Sequence, residues 1–289
     1  MVQHLTAQVL YADDAPALYR RLSDVHREHT GDVRAATEAL LNAGDAQGSA
    51  QILVHGLGAR LDDASLRLDV AAALLAHDQP GLATDVLGVQ IELYGDRKPK
   101  ERSIVHLALA RAWLAAKEPT RALAELDLAI GIDPTNGEIL GLHGKVAFEL
   151  GVLASAEQSY RALLLLAMHA PGDHLGLPAL SVLYFRLAQI AERRSEPERA
   201  DELIASAFDA ASNHELQTRE LEHALIEARA DDLLLKTLDS QLGRAPNVEQ
   251  SVEVLMDFAS RRLRLGEPSQ SLMTRLRERA DQNLVDSIG

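Results

Sequence analysis

Small residues return along this chain at a spacing of 34 positions, and that recurrence limits the fold more than any other feature. In the stretch 122–134, Ala122 and Ala129 share one helical face with bulky Leu126 between them, and Pro134 ends the helix. A partner helix precedes it, with Leu109, Ala110 and Trp113 on one face and a turn at Lys117, Glu118 and Pro119. Moving on 34 residues gives Gly144, Ala156 and Tyr160 in the places of Ala110, Ala122 and Leu126. The next copy has Leu187, Ala188, Ala200, Ile204 and Ala207; it follows an insertion near Pro171 to Pro178, since Ala156 and Ala200 lie 44 apart. Upstream by 39 residues, Val70, Ala71, Leu74, Ala83 and Leu87 fill the same roles. A weaker copy, Phe258, Ala259, Gly266 and Ser271, departs from the pattern at Arg275 and Glu278.

The prolines fix the register. Pro80, Pro119, Pro197 and Pro268 each stand three residues before the small residue of a second helix. Proline suits the first turn of a helix, where its missing N–H has no partner to lose. Glu118, Glu196 and Glu267 precede three of the four. Composition agrees with helices packed through small and aliphatic side chains. Of 289 residues, 45 are Ala and 50 are Leu, whereas aromatic residues make up 3%.

This pattern resembles the tetratricopeptide repeat (TPR), a 34-residue helix–turn–helix unit with small residues at its eighth, twentieth and twenty-seventh places. Here those places hold Ala110, Ala122 and Ala129, with Pro134 at the thirty-second. The resemblance implies an all-α, right-handed α-solenoid of TPR-like helical hairpins, each of which buries one side against the next. TPR-like repeats are expected over 64–214, as about 64–97, 103–136, 137–170 and 181–214. Residues 1–63 read as N-terminal helices forming a degenerate repeat or cap, and 215–289 as C-terminal degenerate repeats and cap. Within the first of these, helices are expected over 13–29, 33–42 and 50–57. The segment from Gly95 to Ser103 reads as a linker or flexible hairpin, its Lys and Arg as those of a solvated loop. Length alone predicts two domains; repetition instead predicts one elongated array.

Charge and chemistry narrow the function. The net charge of −14 repels phosphate backbones and anionic lipid, so neither nucleic acid nor membrane is an expected partner. The first ten residues do not form a signal peptide, and no apolar run reaches the length of a membrane span, so a cytoplasmic protein is expected. The absence of cysteine removes thiolate metal sites and thiol nucleophiles. Among the 11 histidines, neither His26 with His29 nor His169 with His174 has a third ligand at useful spacing, so no metal is expected. Gly141 to Val146 contains a Gly-Lys pair without the spacing of a phosphate loop. The doublets Asp13-Asp14, Asp62-Asp63 and Asp231-Asp232 precede or begin helices, where they favour the positive end of the dipole. The basic cluster Arg261, Arg262, Arg264, Arg275, Arg277 and Arg279 is diluted by acids and reads as a polar end cap. No catalytic constellation and no cofactor site is visible, and the expected protein is not an enzyme.

What remains is binding. The resemblance implies that first helices line a concave face, which here means Leu107, Arg111 and Leu114, then Gly141, Lys145 and Phe148, then Phe185, Gln189 and Glu192. Leu107, Arg111 and Leu142 stand where chaperone-tail-binding members carry clamp residues, so that clamp is not expected. The expected function is a non-enzymatic protein–protein interaction scaffold or adaptor. The alternative is a regulatory or sensor subunit that controls an enzyme or effector in a larger bacterial complex, and the chain itself could be a segment of a larger protein.

Overall fold

The computed structural model describes residues 15–26, 33–55, 64–97, 99–169, 176–212, 214–243, 248–264 and 274. Fourteen helices and no strand occur among them. In chain order they are α1 (Ala15–Val25), α2 (Val33–Asn42), α3 (Ala46–His55), α4 (Ala64–Ala76), α5 (Pro80–Tyr94), α6 (Lys100–Ala115) and α7 (Pro119–Ile132). There follow α8 (Gly137–Glu149), α9 (Leu153–His169), α10 (Leu180–Arg193), α11 (Pro197–Ala211), α12 (Glu215–Glu227), α13 (Asp231–Leu242) and α14 (Val248–Arg264). The chain divides into two compact units, residues 1–159 and 160–289, with the division inside α9.

Each hairpin is made by the same local device. The first helix ends on a residue in the left-handed region, where a sharp reversal lets the second helix start within two or three residues. Gly44, Asp78, Lys117, Gly151, Ser195 and Arg229 hold φ values of 74°, 55°, 62°, 77°, 60° and 54°. The N–H of the residue after each turns back to the carbonyl five residues earlier; Glu118 reaches Trp113 at 2.8 Å and Ala230 reaches Leu225 at 2.9 Å. These closures satisfy carbonyls that a helix end otherwise leaves open. Pro80, Pro119 and Pro197 then occupy the first turns of α5, α7 and α11, as the proline register predicts. Pro268 lies outside the described residues.

The turn residues are spaced by 34, 39, 34, 44 and 34 positions, so the hairpin register extends into both flanks. Helices α2 and α3 form a hairpin, as do α12 and α13. The start of α3 at Ala46, rather than near Ala50, follows from Asp45, whose Oδ1 accepts from the Gly48 N–H at 2.8 Å.

Packing explains the alanines. In the α6–α7 hairpin, Ala110, Ala122 and Ala129 are all fully buried, which lets the helices approach closely. Around them, Leu107, Leu126, Ile139 and Val146 complete the core of α6, α7 and α8. A second core joins α3 to α6 through Leu53, Leu66, Leu74, Leu87 and Val105. Leu22 and Val25 tie α1 to Ala39 of α2. In the second unit, Phe185, Leu221, Leu225, Leu234, Leu238 and Phe258 form the core of α10 to α14.

The segment expected to be a flexible linker is instead pinned by two arginines. Arg97 donates to the carbonyls of Leu93 and Tyr94 at the end of α5, at 2.8 and 3.2 Å. Arg102 donates from Nη1 to the carbonyls of Gly95 and Arg97, at 2.6 and 2.8 Å. Two cations thus cap the negative end of α5, where both hydrogen bonding and the helix dipole favour them.

Candidate functional site

The expected binding residues fall on one row per first helix. On α6, Leu107, Arg111 and Leu114 share a face at steps of four and three residues. On α8, Glu138, Gly141, Lys145 and Phe148 share a face at steps of three, four and three. The two rows meet, because the Arg111 guanidinium donates to the Glu138 carboxylate. Both partners are about half exposed, so this pair orients the rows and contributes little stability.

Burial divides the expected residues. Leu107 is only 2% exposed and belongs to the core of α6, α7 and α8. Phe185 is 4% exposed and belongs to the core of the second unit. Both, expected to line the partner-facing surface, are instead packing residues enclosed in these cores. Arg111 and Lys145 are exposed, whereas Leu114, Gly141 and Phe148 are half-buried. Lys145 makes no ion pair among the described residues. In the second unit, Gln189 is half-buried, and its Oε1 accepts from Arg186 at 3.0 Å while Arg186 also reaches Glu227 at 2.9 Å. Glu192 is exposed.

The register of turns places Leu41 and Leu75, which sequence reading did not single out, in line with Leu114 and Phe148, which it did. Counting back three residues from Gly44, Asp78, Lys117 and Gly151 gives Leu41, Leu75, Leu114 and Phe148. All four are apolar and half-buried, one on each first helix of the unit. Counting back six gives Glu38, Ala72, Arg111 and Lys145, all exposed. The first unit thus carries an apolar line beside a solvent-facing one. The signal lay in Gly44 and in the αL turn, not in the alanines.

Two buried histidines tie helices together. His106 on α6 contacts Glu125 of α7 through Nδ1 at 2.7 Å, while Arg102 donates to its Nε2 at 3.3 Å. An arginine N–H needs an acceptor, so Nε2 carries no proton and Nδ1–H is the donor to Glu125. His143 on α8 contacts Asp127 of α7 through Nε2 at 3.0 Å and the Ser159 hydroxyl of α9 through Nδ1 at 2.7 Å. Carboxylate, imidazole and hydroxyl in that order are the parts of a hydrolytic triad. Their burial is reversed, however: Asp127 is 64% exposed at its side chain and Ser159 only 2% exposed. A nucleophile must face substrate and an oxyanion-binding donor pair, and Ser159 is sealed between helices. This constellation is an interhelical clasp. No group of three or more metal-ligating side chains and no helix able to cross a membrane occurs among the described residues. Asp231 and Asp232 stand in the first turn of α13. The other two aspartate doublets, and the side chains of the C-terminal arginine cluster, lie outside the described residues.

The repeated burial of small residues where two helices of a hairpin touch decides the architecture. It is tetratricopeptide-like. No family model matches the sequence, and no curated protein matches it. Among solved structures the chain is similar to MamA, at 16% identity over 69% of this chain and 93% of that one, with a TM-score of 0.44. It is similar to pilF of Pseudomonas aeruginosa, at 19% identity over 78% and 91%, with a TM-score of 0.42. It is also similar to YrrB, a TPR protein with an unusual peptide-binding site, at 14% identity over 76% and 98%, with a TM-score of 0.42. The tetratricopeptide-like architecture rests on the hairpins themselves.

Proposed function

We propose that the chain is a non-enzymatic scaffold that binds a protein or peptide partner along the first-helix rows of its first unit. The observation that carries this reading is the line Leu41, Leu75, Leu114 and Phe148. Four apolar side chains hold the same place in successive hairpins and stay partly open to solvent, beside an exposed line that includes Ala72 and Lys145. Repetition of a partly open apolar residue serves an extended partner, since each hairpin offers the next stretch of the same surface.

The test is affinity capture from native extract followed by mass spectrometry, with wild type beside an Ala72→Glu, Lys145→Glu variant. Both residues are exposed, so the variant is expected to keep its helicity and thermal midpoint. It is expected to lose the specific partner. Retention of the same partner at the same yield overturns the assignment of this face.

A further inference from the structure

We propose that a small cavity at the C-terminal end of α11 binds a primary alkylammonium group, supplied by a free amine or by a lysine side chain. The site lies in the second unit and does not depend on the first-helix rows.

The cavity has a volume of about 20 Å³, room for one water-sized head group. Phe208 and Ala211 contribute its apolar lining, and Ser212, Thr218, Thr237 and Gln241 contribute polar groups. Three of the hydroxyls have committed their protons. Ser212 Oγ donates to the Asp209 carbonyl at 2.9 Å, and Thr237 Oγ1 to that of Leu234 at 2.7 Å. Thr218 Oγ1 donates to the carbonyls of Ala211 and His214, at 2.8 and 3.2 Å. A carbonyl only accepts, so each of these hydroxyls has lone pairs alone to offer a ligand. The matching ligand is a donor, and an ammonium brings three N–H groups where a water brings two. Ser212 caps the C-terminus of α11, the negative end of its dipole, which favours a cation over a neutral donor. Phe208 and Ala211 suit the methylene stem.

The corresponding place in the first unit is filled by a cation of the chain itself. Counted from the turn residues Lys117 and Arg229, Thr218 and Thr237 stand where His106 and Glu125 stand. There the His106 imidazole meets Glu125 at 2.7 Å, and Arg102 donates to His106 and to the Gly95 carbonyl at the end of α5. In the second unit His214 takes the place of Arg102 and is exposed. Two threonines replace the imidazole and the carboxylate, and the cavity stands where those larger side chains would be. No cationic side chain lines it among the described residues.

The test is an NMR titration of the full chain, labelled at its threonine methyl groups, at constant ionic strength. n-Butylammonium is expected to shift Thr218 and Thr237 saturably. Tetramethylammonium, which has the charge without N–H, and n-butanol, which has the stem without the charge, are expected to leave both unmoved. Ser212→Ala and Thr237→Val are each expected to weaken n-butylammonium binding about tenfold with helicity unchanged. A blocked Gly-Ser decapeptide with one central lysine separates the two sources. Saturable shifts of the same methyls assign a lysine side chain; their absence, with n-butylammonium still binding, assigns a free amine. No shift from n-butylammonium, or an equal shift from either control, overturns the proposal. Unchanged affinity in Ser212→Ala also overturns it, and this half-buried position outside the helix keeps the test valid if Thr237→Val unfolds.

Discussion

Four of the six hairpin turns hold a side chain in a conformation that suits glycine. Lys117, at φ 62°, occupies the place that Gly44 and Gly151 fill in their own hairpins. A non-glycine residue there is strained by about 1 kcal/mol, so Lys117→Gly is expected to raise unfolding free energy by up to that amount in urea titration. Arg67 makes the opposite kind of prediction. It is fully buried between α4 and α5, and its Nη1 donates to Gln90 Oε1 at 2.5 Å. Gln90→Leu removes that acceptor while leaving the guanidinium inside, at a cost of about 1–3 kcal/mol by the same titration. Ala122→Leu should also destabilise by about 1–3 kcal/mol, because it inserts bulk where α6 and α7 touch. At this scale the sequence foretold the packing residues of the central hairpin directly. Ala110, Ala122 and Ala129 announce themselves by size and spacing. Nothing local told Leu107 from Leu114, since their difference is how far neighbouring helices enclose each of them.

Helices and hairpins were legible where the small residues survive, and obscure where other residues replace them. In the α2–α3 hairpin the places of Ala110 and Ala122 are held by Thr37 and Ser49, both fully buried, and the Ser49 hydroxyl donates to the Thr37 carbonyl at 3.0 Å. In the α12–α13 hairpin they are held by Glu222 and Leu234, and Glu222 accepts from Gln241 at 2.6 Å. A buried Thr–Ser pair in one hairpin and a Glu–Leu pair in the other thus stand where alanines would, which hides these hairpins from a search by residue size. The turn geometry is retained and shows the register directly. In the loop before α6, Gly95, Asp96 and Arg97 are exposed, as its Lys and Arg content suggested, and Arg97 and Arg102 also engage backbone carbonyls there. Arg102→Met is expected to speed amide exchange at residues 95–97, measured by hydrogen exchange, while α4 stays protected.

For the molecule as a whole, repetition within each unit turns a local rule into an extended surface. The structure divides the chain at Ser159, and each unit carries its own core. Composition identifies this architecture because Ala and Leu are what close helix packing uses. The central claim, that the first-helix rows of the first unit meet the partner, is tested most directly by hydroxyl-radical footprinting of the captured complex. Leu128 on α7 is an internal reference, being 54% exposed on a second helix. Binding is predicted to protect Leu75, Leu114 and Phe148 and to leave Leu128 as reactive as in the free chain. Protection of Leu128 with those three unchanged would contradict it.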